Sequence, residues 1–318
     1  MKNVTLKDVA KAAGVSYATV SRALSGSSQI GSETRERVLK LCDEMGYTTN
    51  FVARSMVTKR TNLIGLVVPS VDNQFMSELA YHAEVSARAH GYNIMLCDSG
   101  PDLKQEKTVF KLLLGRQVDG ILIVPQSSKS YDNLKSYLDQ VPTVFLSENL
   151  RSQPQSYVAV DNSRGTYLGT QYLYELGHRD ILYFGQRPGS TTHQLRADGY
   201  MKACHENLTP RFFNSEYSRS SIQGGYELAK ELFRKPLDYT AVFAATDSNA
   251  LGMMTAADEM GIDIPGHLSL IGFDNISATA LSRIDLTTVD QPKRDMAVQA
   301  VDMLRDKIEN GTQGYVHQ

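Results

Sequence analysis

Two hydrophobic patterns divide this chain. Up to about residue 46, apolar positions recur three and four apart in short runs. Leu6, Val9, Ala10 and Ala13 form one helical stripe. Thr5 stands at the N-cap position with Asp8 three residues on, which predicts a capping box, and Gly14 predicts a left-handed stop. Ser16 can cap a second helix over residues 17–25. Its Val20 and Leu24 would turn back onto the first helix, leaving Tyr17, Ala18, Ser21, Arg22 and Ser25 on the opposite face. A third helix is predicted over 32–45, with Val38, Leu41, Cys42 and Met45 inward and Gly46 as its stop.

From residue 62 the pattern changes. Near-continuous apolar runs occupy 63–69, 93–97, 120–125, 143–147, 157–161, 181–185, 241–245 and 268–272. Amphipathic helical stretches alternate with them near 74–90, 102–116, 163–177, 192–207, 221–235, 247–260 and 293–309. Strands of this kind belong to parallel sheets covered on both faces. Eight of them fit two doubly wound lobes better than one very wide sheet. Residues 47–61 between the regions are polar. They read as a linker, or as one or two helical turns over 52–57, which are marginal alone in water.

Charge adds a direction. Residues 1–60 carry ten Lys/Arg and five Asp/Glu, whereas the rest carries 23 and 30. A basic end on an acidic body suits a protein that sets one module on a phosphate backbone. Cys42, Cys97 and Cys204 are far apart and form no CxxC, so neither a disulfide framework nor a metal site is expected. The N-terminus has no apolar signal core and no run approaches a membrane span, so the protein is expected in the cytosol.

An enzyme reading finds little support. There is no GxGxxG after the first strand of the body, no P-loop and no GxSxG. His205-Glu206 begins a zincin-like pattern, but Thr209 stands where the second histidine belongs. His178, after Gly177, reads as a helix C-terminal residue favoured by the dipole rather than as a catalyst. Binding chemistry is better represented. Asp72-Asn73-Gln74-Phe75, Ser147-Glu148, Asp161-Asn162, Thr246-Asp247 and Asp274-Asn275 all follow predicted strands, where ligands of open α/β sheets bind. Arg196 lies in a helix nearby. Such groups suit a polyhydroxylated ligand. Each also has a plainer role: Asp247 as an N-cap, Asp161 as a cap or hinge residue, Phe75 as packing, and Arg196 in an ion pair with Asp198 or Glu206.

The outward face of the second helix offers hydroxyls, an aromatic ring and one arginine, the equipment of a helix read against base edges. VTLKDVAKAAGVSYATVSRALSG, then TRERVL, Gly46-Tyr47 and Ala53-Arg54-Ser55, resembles the lactose/galactose repressor (LacI/GalR) family of bacterial transcription regulators. The resemblance implies an N-terminal all-α helix-turn-helix module (1–46), a hinge (47–61) and an α/β bilobed periplasmic-binding-protein-like body (62–318). The lobes would comprise about 62–161 with 291–318, and about 162–290, with crossings near Asp161–Asn162 and Asp290–Gln291–Pro292. The family continues with a further strand, a crossover and a short tail, so either this chain is shortened or the first lobe lacks its final strand.

By the same resemblance, Ser16, Tyr17, Ala18, Ser21 and Arg22 face the major groove. Thr5, Thr19, Ser25, Thr34 and Tyr47 are expected at phosphates or as positioning groups. Asn50, Ala53, Arg54 and Met56 would serve the hinge and minor groove, with Met56 in place of the family's wedging leucine and Thr49 in place of a frequent proline. Phe75, Ser147, Asp161, Arg196 and Asp274 fall at effector positions, for a sugar or sugar phosphate. A single small module reads few base pairs, so a homodimer on a palindromic duplex is expected. The helix over 75–89, with Met76, Leu79, Tyr81 and Val85, reads equally as interface or as core. No cofactor is expected. The competing class is a cytosolic binding protein or enzyme with a vestigial DNA-binding module.

Overall fold

The computed structural model describes residues 4–24, 29–47, 60–100, 102–147, 153–215 and 220–311. The chain divides into two compact units, Met1–Thr61 and Asn62–Gln318. The first contains α1 (Leu6–Ala13), α2 (Tyr17–Leu24) and α3 (Ser32–Glu44). The capping box forms: the Thr5 amide donates to Asp8 Oδ2 at 2.9 Å and the Asp8 amide to Thr5 Oγ1 at 3.4 Å. Gly14 ends α1 at φ +64°, and the Thr19 amide donates to Ser16 Oγ at 3.1 Å to start α2. Val9, Ala10, Ala13, Val20, Ala23, Val38 and Cys42 are buried together, with Leu24, Leu41, Met45 and Tyr47 half-buried at the margin. Ala23 therefore takes the inner position predicted for Leu24: three residues after Val20, it lies on the same face.

The second unit has two five-stranded sheets whose paired strands are all parallel. The first runs in the order β2-β1-β3-β4-β5. It comprises β1 (Leu63–Val68), β2 (Asn93–Asp98), β3 (Gly120–Ile123), β4 (Thr143–Leu146) and β5 (Ser156–Val158). Side-chain alternation splits its core. Ile64, Leu66, Leu122 and Val144 pack under α4 (Gln74–Ala89) and the final helix, α11 (Lys293–Asn310). Val67, Ile121, Ile123 and Phe145 pack under α5 (Leu103–Gly115) and α6 (Ser130–Leu138).

After β5 the chain enters α7 (Asn162–Glu175) and builds the second sheet, β10-β9-β8-β6-β7. Its strands are β6 (Ile181–Phe184), β7 (Phe212–Phe213), β8 (Ala241–Ala244), β9 (Ser269–Asp274) and β10 (Thr287–Asp290). On one face α7 and α8 (Thr191–Asn207) meet Tyr183, Phe243 and Ile271. On the other, α9 (Ile222–Leu232) and α10 (Asp247–Glu259) meet Phe184, Val242 and Leu270. β7, β10 and α6 have no counterpart in the hydrophobic pattern. β7 has two residues, β10 is the polar run TTVD, and α6 is a nine-residue helix. No helix among the described residues is long and apolar enough to cross a membrane.

Backbone approach decides how the second lobe's helices pack. A Cβ on Gly199 of α8 would lie 2.1 Å from the Ser163 carbonyl oxygen of α7. Because the obstacle is backbone, Gly199→Ala is expected to destabilise the protein by about 1–3 kcal/mol through overpacking. A urea melt unchanged from wild type would disprove this close contact.

Candidate effector cavity and recognition helix

Both sheets aim the carboxyl ends of their strands at one cavity of about 930 Å³. In each sheet it sits at the topological switch point, between β1 and β3 and between β6 and β8, where adjacent crossovers leave in opposite directions. Five helices start at its wall, and their N-caps line it: Asn73 for α4, Asp102 for α5, Ser190 for α8, Ser221 for α9 and Thr246 for α10. Each cap side chain accepts an amide of its own first turn, at 2.8 to 3.3 Å. Capping and cavity lining are thus one sequence signal.

The deepest polar feature joins Arg196 and Asp274, which are 3% and 4% exposed in their side chains and 3.2 Å apart. Arg196 Nε donates to Asn162 Oδ1 (2.8 Å) and Nη1 to the Ala245 carbonyl (2.6 Å), while the guanidinium lies 3.8 Å over the Phe273 ring. Asp274 Oδ1 also accepts from Gln291 Nε2 at 2.6 Å. Burial pushes the Asp274 carboxyl up to about 7, with Arg196 opposing. Asp198 instead takes a bond from Gln194, so the sequence alternative of an Arg196–Asp198 pair is not adopted.

Ser147 and Phe75 also line the cavity, and both are buried. Ser147 and Asp274 on the wall, and Asn275 next to it in sequence, adopt positive φ (60°, 130° and 51°), a backbone cost for non-glycine residues. Hydrogen bonds cross the cleft between lobes: Thr192 Oγ1 to the Ser147 carbonyl (2.7 Å), Asn73 Nδ2 to the Ser220 carbonyl (2.7 Å), and Arg187 Nη2 to the Gln126 carbonyl (3.0 Å). Gln126, Arg187, Thr192 and His193 line the wall without having been singled out by the sequence. Gln126 and Arg187 follow strand ends and Thr192 and His193 lie in the first turn of α8, but no pattern separates them from their neighbours.

Three sequence expectations are corrected. Asp161 is exposed, caps α7 through the Arg164 amide (2.9 Å), and is not among the cavity-lining residues. The next residue, Asn162, turns inward and reaches Arg196 instead. Asp247 is neither cap nor wall. Thr246 is the cap, and the fully buried Asp247 carboxylate accepts from Thr288 Oγ1 (2.5 Å) and the Ile276 amide (3.0 Å). His178 does stand at the end of α7, its amide donating to the Leu173 carbonyl at 3.2 Å, but its ring does not serve the helix dipole. Burial lowers its pKa, its Nδ1 meets Thr240 Oγ1 at 2.8 Å, and Arg179 covers the Tyr174 carbonyl.

A serine and a histidine do meet in the cavity, Ser220 Oγ and His193 Nε2, 3.0 Å apart. The Arg187 amide donates to His193 Nδ1 at 3.2 Å, so the ring proton sits on Nε2 and points at the serine. Burial, then Arg196 and Arg187, push this histidine well below its usual range and keep it neutral. A base needs a free lone pair facing its nucleophile, and this pair lacks one. Among the described residues no group of three or more His, Cys, Asp or Glu is placed to hold a metal.

In the small unit, Ser16, Tyr17, Ala18, Ser21 and Arg22 are all exposed, Tyr17 to 53%. Ser16 Oγ is occupied by the α2 cap and the Thr19 hydroxyl (2.9 Å). Thr5 is exposed, and Thr19, Thr34 and Tyr47 are half-buried. Ser25, Asn50, Ala53, Arg54, Met56 and Glu148 lie outside the described residues.

Three short helices ahead, in sequence, of two doubly wound lobes around a polar cleft define a two-part binding protein. Known proteins place it in a family. Residues 5–50 match bacterial regulatory proteins of the lacI family, and residues 170–317 match the periplasmic binding protein-like domain. The chain is similar to the HTH-type transcriptional regulator DegA of Bacillus subtilis (strain 168), 34% identical over 300 residues, covering 93% of this chain and 88% of that one. It is similar in structure to the Lac repressor dimer bound to operator and the anti-inducer ONPF, with a TM-score of 0.85, 26% identity and coverage of 99% and 97%. A ribose-bound LacI family transcriptional regulator from Enterococcus faecium gives a TM-score of 0.70, 26% identity and coverage of 80% and 94%. This chain belongs to the lacI family: it is a DNA-binding transcriptional regulator, not an enzyme.

Proposed function

We propose that this protein is a homodimeric cytosolic repressor of a carbohydrate-utilisation operon, released from a palindromic operator by a sugar or sugar phosphate held between the lobes. The observation that carries the effector reading is the cavity itself. Its wall joins buried Arg196, Asp274 and Ser147 to Phe75, an arrangement for pairing hydroxyl groups against an apolar ring face. Buried polar groups of this kind discriminate strongly against ligands that leave them unpaired. The ribose-bound relative supports the same ligand class.

Dimerisation accounts for the outer surface of α4 and β2. Leu79 and Ala83 face the core, whereas Tyr81, Val85 and Leu96 are 64%, 39% and 45% exposed. A second copy across this face would supply the two-fold symmetry that a palindromic operator calls for, and a structurally similar Lac repressor is a dimer bound to operator. An effector that binds one lobe arrangement better must, by linkage, change operator affinity.

In vitro selection from random duplexes should return a palindrome. Titrating that complex with ribose, ribose 5-phosphate and common hexoses and disaccharides should lower operator affinity for at least one of them. Asp274→Ala should bind the operator normally and lose that response. A response retained by Asp274→Ala would remove it from the site. Release by a nucleobase, and by no sugar, would overturn the ligand class.

A further inference from the structure

We infer that Lys293 is a positioning residue of this cavity: it clamps the backbone that carries the Asp274 carboxylate and ties that backbone to helix α4. The inference rests on the proposed role of Asp274 in the effector site. Lys293 opens α11, directly after the chain returns to the first lobe, and is only 9% exposed. Its Nζ donates to two successive carbonyls, Asp274 O at 2.9 Å and Asn275 O at 2.6 Å. These are the two residues held at φ 130° and 51°. Such conformations persist only where the surroundings over-determine them, and one ammonium bridging both carbonyls does this directly.

The same Nζ lies 3.5 Å from Glu78 Oε2 on α4. Glu78 Oε1 in turn accepts the Ser277 amide at 2.8 Å, and Gln74 Nε2 donates to Ser277 Oγ at 2.8 Å. The segment just beyond Asp274 is therefore fastened to the first turns of α4, the helix whose cap Asn73 lines the cavity and whose outer face carries Tyr81 and Val85. Displacement of Asp274 by a ligand would be felt at Lys293 and Glu78, by a route separate from the contact that Phe75 of α4 offers at the wall.

The ionisation of Asp274 gives a readout that needs no ligand. The groups facing it are Arg196 from α8, Asp247 from α10, Tyr183 from β6, Gln291 from the crossing segment and Lys293 from α11. Burial raises its carboxyl to about 7, while Arg196, Gln291 and Lys293 pull it down. A carboxyl raised in the folded state makes the folded protein bind the proton more tightly than the unfolded chain does. Stability therefore falls as pH rises from the ordinary carboxylate range, about 3.9, to about 7.

The test is urea unfolding of the full chain from acid to mildly alkaline pH. Asp274→Asn should remove this slope. Lys293→Met should extend it to higher pH, because a cation that favours the carboxylate is gone, and Lys293→Arg should restore the wild-type profile. Glu78→Gln, which keeps an acceptor for Ser277, should shift the slope to lower pH by freeing the ammonium from its counter-ion. Equal loss of stability at every pH in Lys293→Met, the result of a merely structural lysine, overturns the inference. So does a slope that survives Asp274→Asn. Should Lys293→Met not fold, Glu78→Gln decides alone, and an unshifted profile there refutes the tie to α4. No arm uses a sugar, so failure here and failure of the effector titration are separate results.

Discussion

Arg196→Met should destabilise the protein by about 3–5 kcal/mol at alkaline pH and by much less in acid. Arg196 and Asp274 are almost wholly buried, and removing the cation strands a carboxylate beside Phe273 and Asp247. Asp274 already has a carboxyl raised to about 7, and Arg196 is the strongest influence holding it down. Without Arg196 it rises further and stays protonated under acid conditions, where a neutral acid needs no ion partner. Urea melts at the two ends of the pH range measure the difference. Equal losses at both would mean that the lost bonds to Asn162 and Ala245, not the charge, dominate.

Arg22→Ala should abolish operator preference and leave most non-specific binding intact. Arg22 is exposed on α2 beside Tyr17, Ala18 and Ser21. A bidentate arginine–guanine contact is worth about 1–3 kcal/mol of discrimination. Two half-sites in a symmetric operator should therefore lose roughly twice that. Non-specific affinity comes from phosphate neutralisation and falls with salt. Replacing one base-reading arginine per subunit should change the salt slope little. Anisotropy titrations with the selected operator and a scrambled duplex, across a salt series, separate the two components. A uniform loss on both duplexes would assign Arg22 to the backbone instead.

Both predictions draw on residues visible in the sequence, but not to the same depth. α1 was readable nearly to the atom, because its signals are local: Thr5 and Asp8 three apart, a stripe at 3.6-residue spacing, and Gly14 at the stop. Each of the eight predicted apolar runs overlaps a strand; seven of those strands are buried on both faces and so are apolar nearly throughout, while β2 is an edge strand with partly exposed faces. The two strands absent from that pattern, β7 and β10, are defined by long-range pairing alone, whereas the missing helix, α6, is simply short. β10 is polar yet pairs with β9, and β7 extends the edge of its sheet by two residues beside β6.

The cavity shows the same division. Asn73, Ser147, Thr246 and Asp274 were visible as polar residues near strand ends, a position that one-dimensional pattern locates well, and Arg196 as a charged residue within a predicted helix. Which neighbour turns inward is a matter of tens of degrees around a helix start. That is why Asn162, not Asp161, reaches Arg196, and why Asp247 is buried behind Thr246.

What the sequence determined by itself is the inventory: a basic three-helix module, two parallel α/β lobes and a set of capping residues at the strand ends. Periodicity and capping are short-range, and a few residues suffice to express them. Only the tertiary structure decided the pairings. Arg196 meets Asp274 from 78 residues away, Lys293 clamps the turn after β9, and Ser220 is held by His193 and by Asn73 from the other lobe. The first and the His193–Ser220 contact depend on how helices pack on the second sheet, and the Lys293 and Asn73 contacts on how the two lobes meet; packing of whole sheets and helices leaves no local trace in the chain.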